Sequence, residues 1–580
     1  TPPGPPPSTP PNGPDTPNDW TPPSNLAPDE MSDKVICSLL DLMYDSDARP
    51  SVEVLATTAV INGAYAPVHS PLNFLVGIQK RIDGIAAELD YVPSSKGKES
   101  HGAVNQSFLS QLVPKSQRHR LRVYTPKQVL EHKKKPRQKT KMQTVVDFNK
   151  VPLFSDKFAK AHMKGEVYSS IKDPRAIQTV ADVHALDHSR VSLPVATFLA
   201  KTHWYAFKQS PEDTANRVAE IADECKVGVT ATDFSRFDGR NNKATRMCFR
   251  EFLHLLFHPD DHHLIDAMLN ETVDLRCIAS RYGIKYNHRQ SLLSGVDYTS
   301  IFGSFINALV QFKAVRLAYP ALSASQAYKK IGIAGGDDGL IGDVDAKHLA
   351  KAGRFFGHVI TSEVIPVPTD DVPFQMVPFF GRVYGPDVFN GDPNSMTDPM
   401  RCLAKLHITP KTAIQGQQLE KLGEKMRSIL VDDAQTPIIG HIAAGVVQHL
   451  AKKHNVSYST YKSTPNKLIT DWWFENFNKN GSCGYPNEYA DWMNEVWDTL
   501  APGTTQAAAD SLHLWFAGLA NHLDQNLPQL PALSTLEIKT AQPVDVDGDL
   551  YIPEGHPWAI PRGLFRRVGL AIPDRSIWMK

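Results

Sequence analysis

The feature that most restricts how this chain can fold is a pair of adjacent acids in a glycine turn. In YKKIGIAGGDDGLIGD, Asp337 and Asp338 sit between two short apolar runs, a pattern that reads as strand, tight turn, strand. Neighbouring carboxylates repel, and the repulsion pulls their pKa values apart unless a cation neutralises them. An earlier run, KVGVTATDF, alternates Val227, Val229 and Ala231 with Gly228, Thr230 and Thr232, and reads as a strand ending on Asp233. A strand ending in an acid, placed beside an acidic hairpin, gathers hard oxygen ligands in a small space, which suits Mg2+ or Mn2+. Ordinary turn chemistry is the plain alternative for Asp337–Asp338.

The segments around these acids alternate between helix and strand. NKATRMCFREFLHLLFH is helical, with Met247, Phe249, Phe252, Leu253 and Leu256 supplying most of an apolar side. A second helix runs from about Thr299 to Leu317, DAKHLAKAGRFFGH forms a third, and VPFFGRVYG is a small hairpin. The expected fold class is α+β, a sheet covered by helices on one face. Beyond Pro399 the pattern becomes mostly helical and carries seven of the nine Trp residues.

The ends differ in texture. Residues 1–31 hold 12 of the 44 prolines and read as an extended tail or linker. The chain starts at Thr1 without an initiating Met, the mark of a processed product or of a trimmed end. Folded sequence is expected from Met31, with a helical pattern through Val35, Leu39, Leu40, Leu42 and Met43. Residues 531–580 are too apolar for free linker and are expected to fold back onto the body.

Lys plus Arg and Asp plus Glu both number 62, so a wholly basic nucleic-acid coat is excluded while local basic surfaces are not. One such surface is strong: from Lys133 to Arg175 there are 12 basic residues against 4 acidic ones. The run Lys133, Lys134, Lys135, Arg137, Lys139 and Lys141 reads as a phosphate contact or as a basic loop. The six cysteines lie far apart, so neither a zinc site nor a disulfide framework is indicated, and a reducing compartment is the natural reading. No apolar stretch reaches 18 residues, so no intrinsic transmembrane segment is expected.

DFSRFDG, SGVDYTS and GGDDG, in that order, resemble palm motifs A, B and C of viral RNA-dependent RNA polymerases, with DxSRFDG and GDDGL most similar to nodavirus and tombusvirus-like positive-strand viruses. The resemblance is specific over residues 164–385. It implies a right-hand polymerase fold with an antiparallel palm sheet backed by helices. Fingers would occupy residues 32–225 and 257–290, palm 226–256 and 291–398, and a helical thumb 399–530.

The resemblance also implies roles. Asp233 and Asp337 are the principal ligands of two Mg2+ or Mn2+ ions and Asp338 is an accessory one. Asp238 senses the ribose hydroxyls of the nucleotide, since a carboxylate can accept from a 2′-OH; an acid at a helix start is its alternative reading. Ser294, Gly295 and Thr299 open motif B. The family often has Asn four residues after this Thr, whereas position 303 is Gly here, so Asn307, one turn later, is the candidate in its place, or else packs within its helix. Lys164, Lys172 and Arg175 resemble the finger element that covers the triphosphate, with Glu166 holding one of them, or else form a solvated face. His358 is the candidate general acid or a plain surface histidine. Phe379, Phe380 and Arg382 resemble the hairpin that supports the primer end, or seal the palm against the helical region.

The expected activity is template-directed RNA synthesis that replicates a viral RNA genome. Its partners would be RNA template and product, ribonucleoside triphosphates and other viral replication proteins. The expected place is a replication complex in the cytoplasm of the infected host cell, or the virion. Reverse transcription is the alternative enzyme, which Asp238 disfavours because such enzymes typically carry a bulky residue there. A non-catalytic RNA-binding scaffold is the alternative of another class.

Overall fold

A computed structural model describes residues 52–54, 71–85, 100–133, 136–151, 158–166, 168, 174–406, 408–410, 418–454 and 484–500. The proline-rich start, the Val35–Met43 pattern, Lys134, Lys135, Lys172 and the 531–580 segment lie outside the described residues.

The fold is α+β, and its principal elements follow the chain in three groups. The first comprises α1 (Pro71–Ile78), α2 (His101–Leu112), β1 (Ala159–Met163), β2 (Ala176–Thr179), α3 (Asp182–Leu199) and α4 (Pro211–Glu224). The second comprises β3 (Gly228–Phe234), α5 (Lys243–Leu256), β4 (Arg276–Ala279), β5 (Ile284–Asn287), α6 (Thr299–Ala318), β6 (Ile333–Gly335), β7 (Asp338–Gly342), α7 (Ala346–Phe355) and β8 (Ile360–Pro366). The third comprises β9 (Val377–Phe379), β10 (Arg382–Tyr384), β11 (Ser395–Thr397), α8 (Gln418–Asp433), α9 (Ile439–His454) and α10 (Asp491–Leu500). The starts are written locally. Ser210 with Asp213 closes a capping box on α4, Asn242 accepts from the Ala244 and Thr245 amides to start α5, and Asp345 accepts from His348 to start α7.

Four strands form the central sheet in the order β6-β7-β3-β8, antiparallel throughout. A second sheet, β2-β1-β4-β5, joins two stretches of chain a hundred residues apart, with β1 and β4 parallel. A third, β9-β10-β11, is the expected Phe379–Arg382 hairpin plus one strand.

α6 is buried from Ile301 through Val315 on every side, as a helix at the centre of a large core must be. Phe252 stacks on Phe305 with ring centres 5.0 Å apart, Phe249 meets Phe302 edge-on at 4.9 Å, and Phe108 of α2 closes on Phe305 at 5.7 Å. By length and composition α6 could cross a membrane, yet 83% of its most apolar window is buried inside the protein.

Two expectations change. Helices were expected on one face of the central sheet, but both faces are covered. α6 and α7 pack on one, while α4 and the β9-β10 hairpin pack on the other. Consequently β3 does not alternate: Val229, Thr230, Thr232 and Phe234 are all buried, whereas Val227 is 73% exposed before the strand begins. Thr230 tolerates burial because its hydroxyl donates to the Val344 carbonyl at 2.6 Å. On α5, Met247 points outward at 44% exposed, and Cys248 takes its place in the core.

The third group of elements packs around a separate cluster of Leu403, Leu422, Met426, Ile442, Val446 and Trp497. Arg382 joins it to the hairpin. The guanidinium is buried, donates to both Asp433 carboxylate oxygens (3.2 and 3.3 Å) and to Ser395, and lies 4.5 Å over the Tyr485 ring. Truncating one member of such a pair strands the other's charge, so Arg382→Met should destabilise this joint by about 3–5 kcal/mol. Thermal unfolding followed by circular dichroism would read this as a lowered midpoint; an unchanged one would contradict it.

Candidate active site

Register alone brings the acids together. β3 pairs with β7 through Thr232↔Gly339, and continuing that antiparallel ladder by one residue sets Asp233 opposite Asp338. Gly335 pairs with Asp338 across the β6–β7 turn, so Asp337 stands at the tip of the same hairpin. Asp233 and Asp338 are exposed, and Asp337 is half-buried.

The turn is held from behind by α6. Asn307 is fully buried, and its Nδ2 lies 3.1, 3.3 and 3.0 Å from the carbonyls of Gly336, Asp337 and Asp338. Its Oδ1 accepts from Gln311, which also accepts from the Gly332 amide, and Ser304 accepts from the Gly336 amide at 2.9 Å. Residues 304, 307 and 311 follow helical spacing, so one face of α6 supplies the bonds that the hairpin's backbone needs. Asn307 therefore faces the turn's backbone and not a ribose. The glycine at 303 has a steric reason: a Cβ there would stand 3.1 Å from the Gly336 Cα. At 339 a Cβ would come within 2.5 Å of Thr232 Oγ1 and 2.9 Å of Asn307 Oδ1.

Beside the turn lies a cleft of about 500 Å³, lined among others by Asp238, Asp337, Lys164, Arg175, Ser294 and Thr299. This volume suits a nucleotide-sized ligand. Asp238 lies in a single 3-10 turn after β3, and Asn242, not Asp238, caps the helix that follows. Its carboxyl is pushed up to about 6, first by burial and then by the charge of Asp337, against the opposing pull of Arg175, Arg81 and Lys164. Asp338 is likewise pushed to about 6, by desolvation and then by Asp337 and Asp233. Both remain largely ionised at neutral pH.

The opposite wall is basic. Burial would raise the Glu166 carboxyl, but the Tyr168 hydroxyl and the charges of Arg175 and Lys164 outweigh it and hold the group below its usual range. Glu166 pairs with Lys164 at 2.9 Å and Arg175 at 3.6 Å, so one carboxylate spaces two cations. The loop before α6 is clamped onto β2. Ser294 Oγ is 3.0 Å from both the Ala176 carbonyl and Gln178 Oε1, and the Gly295 amide donates to the Gln178 carbonyl. Thr299 Oγ1 lies 2.7 Å from the Leu293 carbonyl and 2.8 Å from that of Val296, which folds the loop onto its helix. On the far side Asp297 pairs with Lys133 at 2.9 Å and takes the Ser189 hydroxyl, so the first lysine of the basic run is an anchor and only 10% exposed.

Besides Asn307, one candidate does not fit its expected role. His358 is fully buried, with its ring stacked on Phe237 at 4.9 Å. Burial, and then the charge of Arg240, push it down to about 3. It is a core imidazole whose burial disfavours the imidazolium form that a general acid needs. Arg382, paired with Asp433 inside the protein, ties the hairpin to the helices that follow, in keeping with the reading of this element as a seal against the helical region.

Sequence reasoning missed Gln178, Tyr168, Arg81 and Arg401. Gln178 is buried between Tyr286 and Ser294. Arg81 lines the cleft from an N-terminal turn, and Arg401 draws the Asp338 carboxyl downward. Tyr168 stood within the basic segment already singled out. The other three lay in no motif, and only folding brings them to the acids.

The carboxylate donors are chemically right for a divalent cation, although among the described residues no three His, Cys, Asp or Glu side chains form a ready-made metal cage. Mg2+ is commonly held by one or two carboxylates plus substrate phosphates, which is the arrangement these acids permit.

Two outcomes follow. Asn307→Asp turns an acceptor toward three carbonyls, and displacing the turn by about 1 Å should slow any reaction that these acids support about a hundredfold; steady-state kinetics on folded protein would check it. Because the folded-state value of Asp338 lies above the ordinary 3.8, its ionisation destabilises the fold as pH rises from about 4 to about 6. Asp338→Asn should therefore raise the thermal midpoint at about pH 7, with the gain fading toward about pH 4. An equal gain at both pH values would contradict the repulsion.

Residues 206–422 match the family model described as viral RNA-dependent RNA polymerase. The chain is 27% identical over 505 residues to the RNA-directed RNA polymerase of greasy grouper nervous necrosis virus, covering 84% of this chain and 46% of that protein. To the Flock house virus protein of the same description it is 25% identical over 322 residues, 54% of this chain and 31% of that one. The chain thus spans about half the length, or less, of the curated relatives it matches. A crystal structure of the RNA-dependent RNA polymerase of a human picorbirnavirus aligns with a TM-score of 0.49 at 12% identity, over 77% of this chain and 96% of that one. Residues 206–422, which carry all four acids and the helix behind them, are thus the segment of this chain that is similar to the viral RNA-dependent RNA polymerase family.

Proposed function

We propose that this chain carries out template-directed RNA synthesis from ribonucleoside triphosphates on an RNA template, within a viral replication complex in the cytoplasm of the host cell. The observation that carries the reading is the β3–β7 register, which sets Asp233 beside Asp337–Asp338 next to a cleft whose other wall bears Lys164 and Arg175. The reaction is attack of an RNA 3′-OH on the α-phosphate of the bound triphosphate, with pyrophosphate leaving.

In this reading Lys164 and Arg175, spaced by Glu166, bind the triphosphate and offset its charge. Asp233, Asp337 and Asp338 would hold the divalent ions, which when bound supply charge stabilisation for the attacking and leaving oxygens. Asp238 accepts a hydrogen bond from the ribose 2′-OH; a deoxynucleotide leaves this acceptor unsatisfied. Ser294 and Thr299 set the position of the loop that forms the cleft floor. Base pairing selects the nucleotide.

The domain reading is part of the proposal. The β2-β1-β4-β5 sheet joins residues 159–179 to 276–287 and supports fingers built from 32–225 and 257–290. The central sheet supports a palm of 226–256 and 291–398, and the cluster around Trp497 supports a helical thumb within 399–530.

The test is incorporation of labelled nucleotides on a primed RNA template with Mg2+ or Mn2+, comparing ribo- and deoxynucleotides. Ribonucleotide incorporation is expected, with Asp337→Asn lowering it by at least about a thousandfold while RNA binding persists. Preference for deoxynucleotides would favour reverse transcription, and RNA binding without incorporation would favour a scaffold.

A further inference from the structure

The third cation on the cleft wall lies outside both the family-matched segment and every motif of the chain. Arg81 sits in a single π-helical turn, Gln79–Asp83, that continues α1. Such turns interrupt a helix at an energetic cost and are frequent at functional sites. This one is wedged between the two segments that face the nucleotide. Its side-chain Nε donates to the Pro174 carbonyl at 3.2 Å, the residue before Arg175. Its own carbonyl abuts position 239, where a Cβ would overlap it, so the glycine after Asp238 is the residue that lets the turn approach. Gly77, one turn earlier, packs closely on Pro174, where a Cβ would come within 2.7 Å of the carbonyl oxygen.

Given the polymerase reading, we infer that Arg81 is a nucleotide-binding residue, contacting the phosphates of the incoming ribonucleoside triphosphate together with Lys164 and Arg175. The geometry carries this. All three cations line the cleft that contains Asp238 and Asp337, and all three act electrostatically on Asp238. Arginine's planar fork suits phosphate oxygens, and an Nε already bonded to backbone fixes its direction. Glu166 spaces Lys164 and Arg175, whereas Arg81 is set independently by Pro174. A solely structural Arg81 would hold Pro174 without altering nucleotide affinity.

The experiment measures KM and kcat for ribonucleotides on a primed RNA template with wild type, Arg81→Gln and Arg81→Lys, alongside thermal midpoints and RNA affinity. Arg81→Gln should raise the nucleotide KM about tenfold, more than it lowers kcat, with RNA affinity unchanged. Arg81→Lys, which keeps charge but loses the fork, should fall between. A wild-type KM in Arg81→Gln overturns the inference, as does a fall in kcat alone. Should Arg81→Gln lose its thermal transition, Arg81→Lys decides: a KM raised about threefold or more supports the role, and a wild-type KM overturns it. Absence of incorporation by the wild-type chain brings down the polymerase reading and this inference with it. An active wild type beside a silent substitution brings down this inference alone.

Discussion

Two carboxylates cannot be held side by side on a hairpin tip unless something else fixes the hairpin, because their repulsion favours opening it. Here the fixing comes from α6. Asn307 reaches the carbonyls of Gly336, Asp337 and Asp338, Ser304 takes the Gly336 amide, and Gln311 closes the strand behind them. Buried backbone groups need partners, and these side chains supply them where no neighbouring strand can. The helix must in turn be immovable. Its burial from Ile301 to Val315 and the aromatic packing of Phe302 and Phe305 make it so. The geometry of the acidic turn is thus an outcome of core packing, transmitted through one buried amide.

The charges follow the same logic at longer range. Four acids, Asp233, Asp238, Asp337 and Asp338, face a smaller volume than their repulsion would choose, and desolvation first, then that repulsion, pushes the Asp238 and Asp338 carboxyls up to about 6. Protein cations relieve part of this: Lys164 and Arg175 from the strand region, Arg81 from the N-terminal turn and Arg401 from beyond the hairpin. None sits on the same element as the acids. The site is an electrostatic meeting of five separate stretches of chain.

The buried joint at Arg382 has a different character. Its hydrogen bonds to Ser395 and Asp433 and its contact with Tyr485 tie the small β9-β10-β11 sheet to the helices after Pro399. A charge removed from water and fully paired is an expensive way to join two regions and a geometrically exact one. The hairpin's Phe380 lies near Phe207, with ring centres 5.9 Å apart, and against Gly335 beside the acidic turn, so the same element borders the turn and the helical region.

The acids at strand ends, the glycine turn, the helix boundaries and the α+β class were legible in the chain because each depends on neighbours in sequence: alternation, capping, and the intolerance of a turn for bulk. The β3–β7 register was implied but not written, since it depends on which strands find one another. Four residues read differently in the fold for one reason. Val227 and Met247 looked inward, His358 looked available and Asn307 looked aimed at a ligand, because local pattern cannot tell which face of an element another element will cover. That β3 is buried on both faces, that His358 lies beneath Phe237, and that Arg81 arrives beside Asp238 from some 150 residues away were decided only by tertiary packing. Burial and electrostatic proximity are properties of the folded chain and have no expression in the order of its residues.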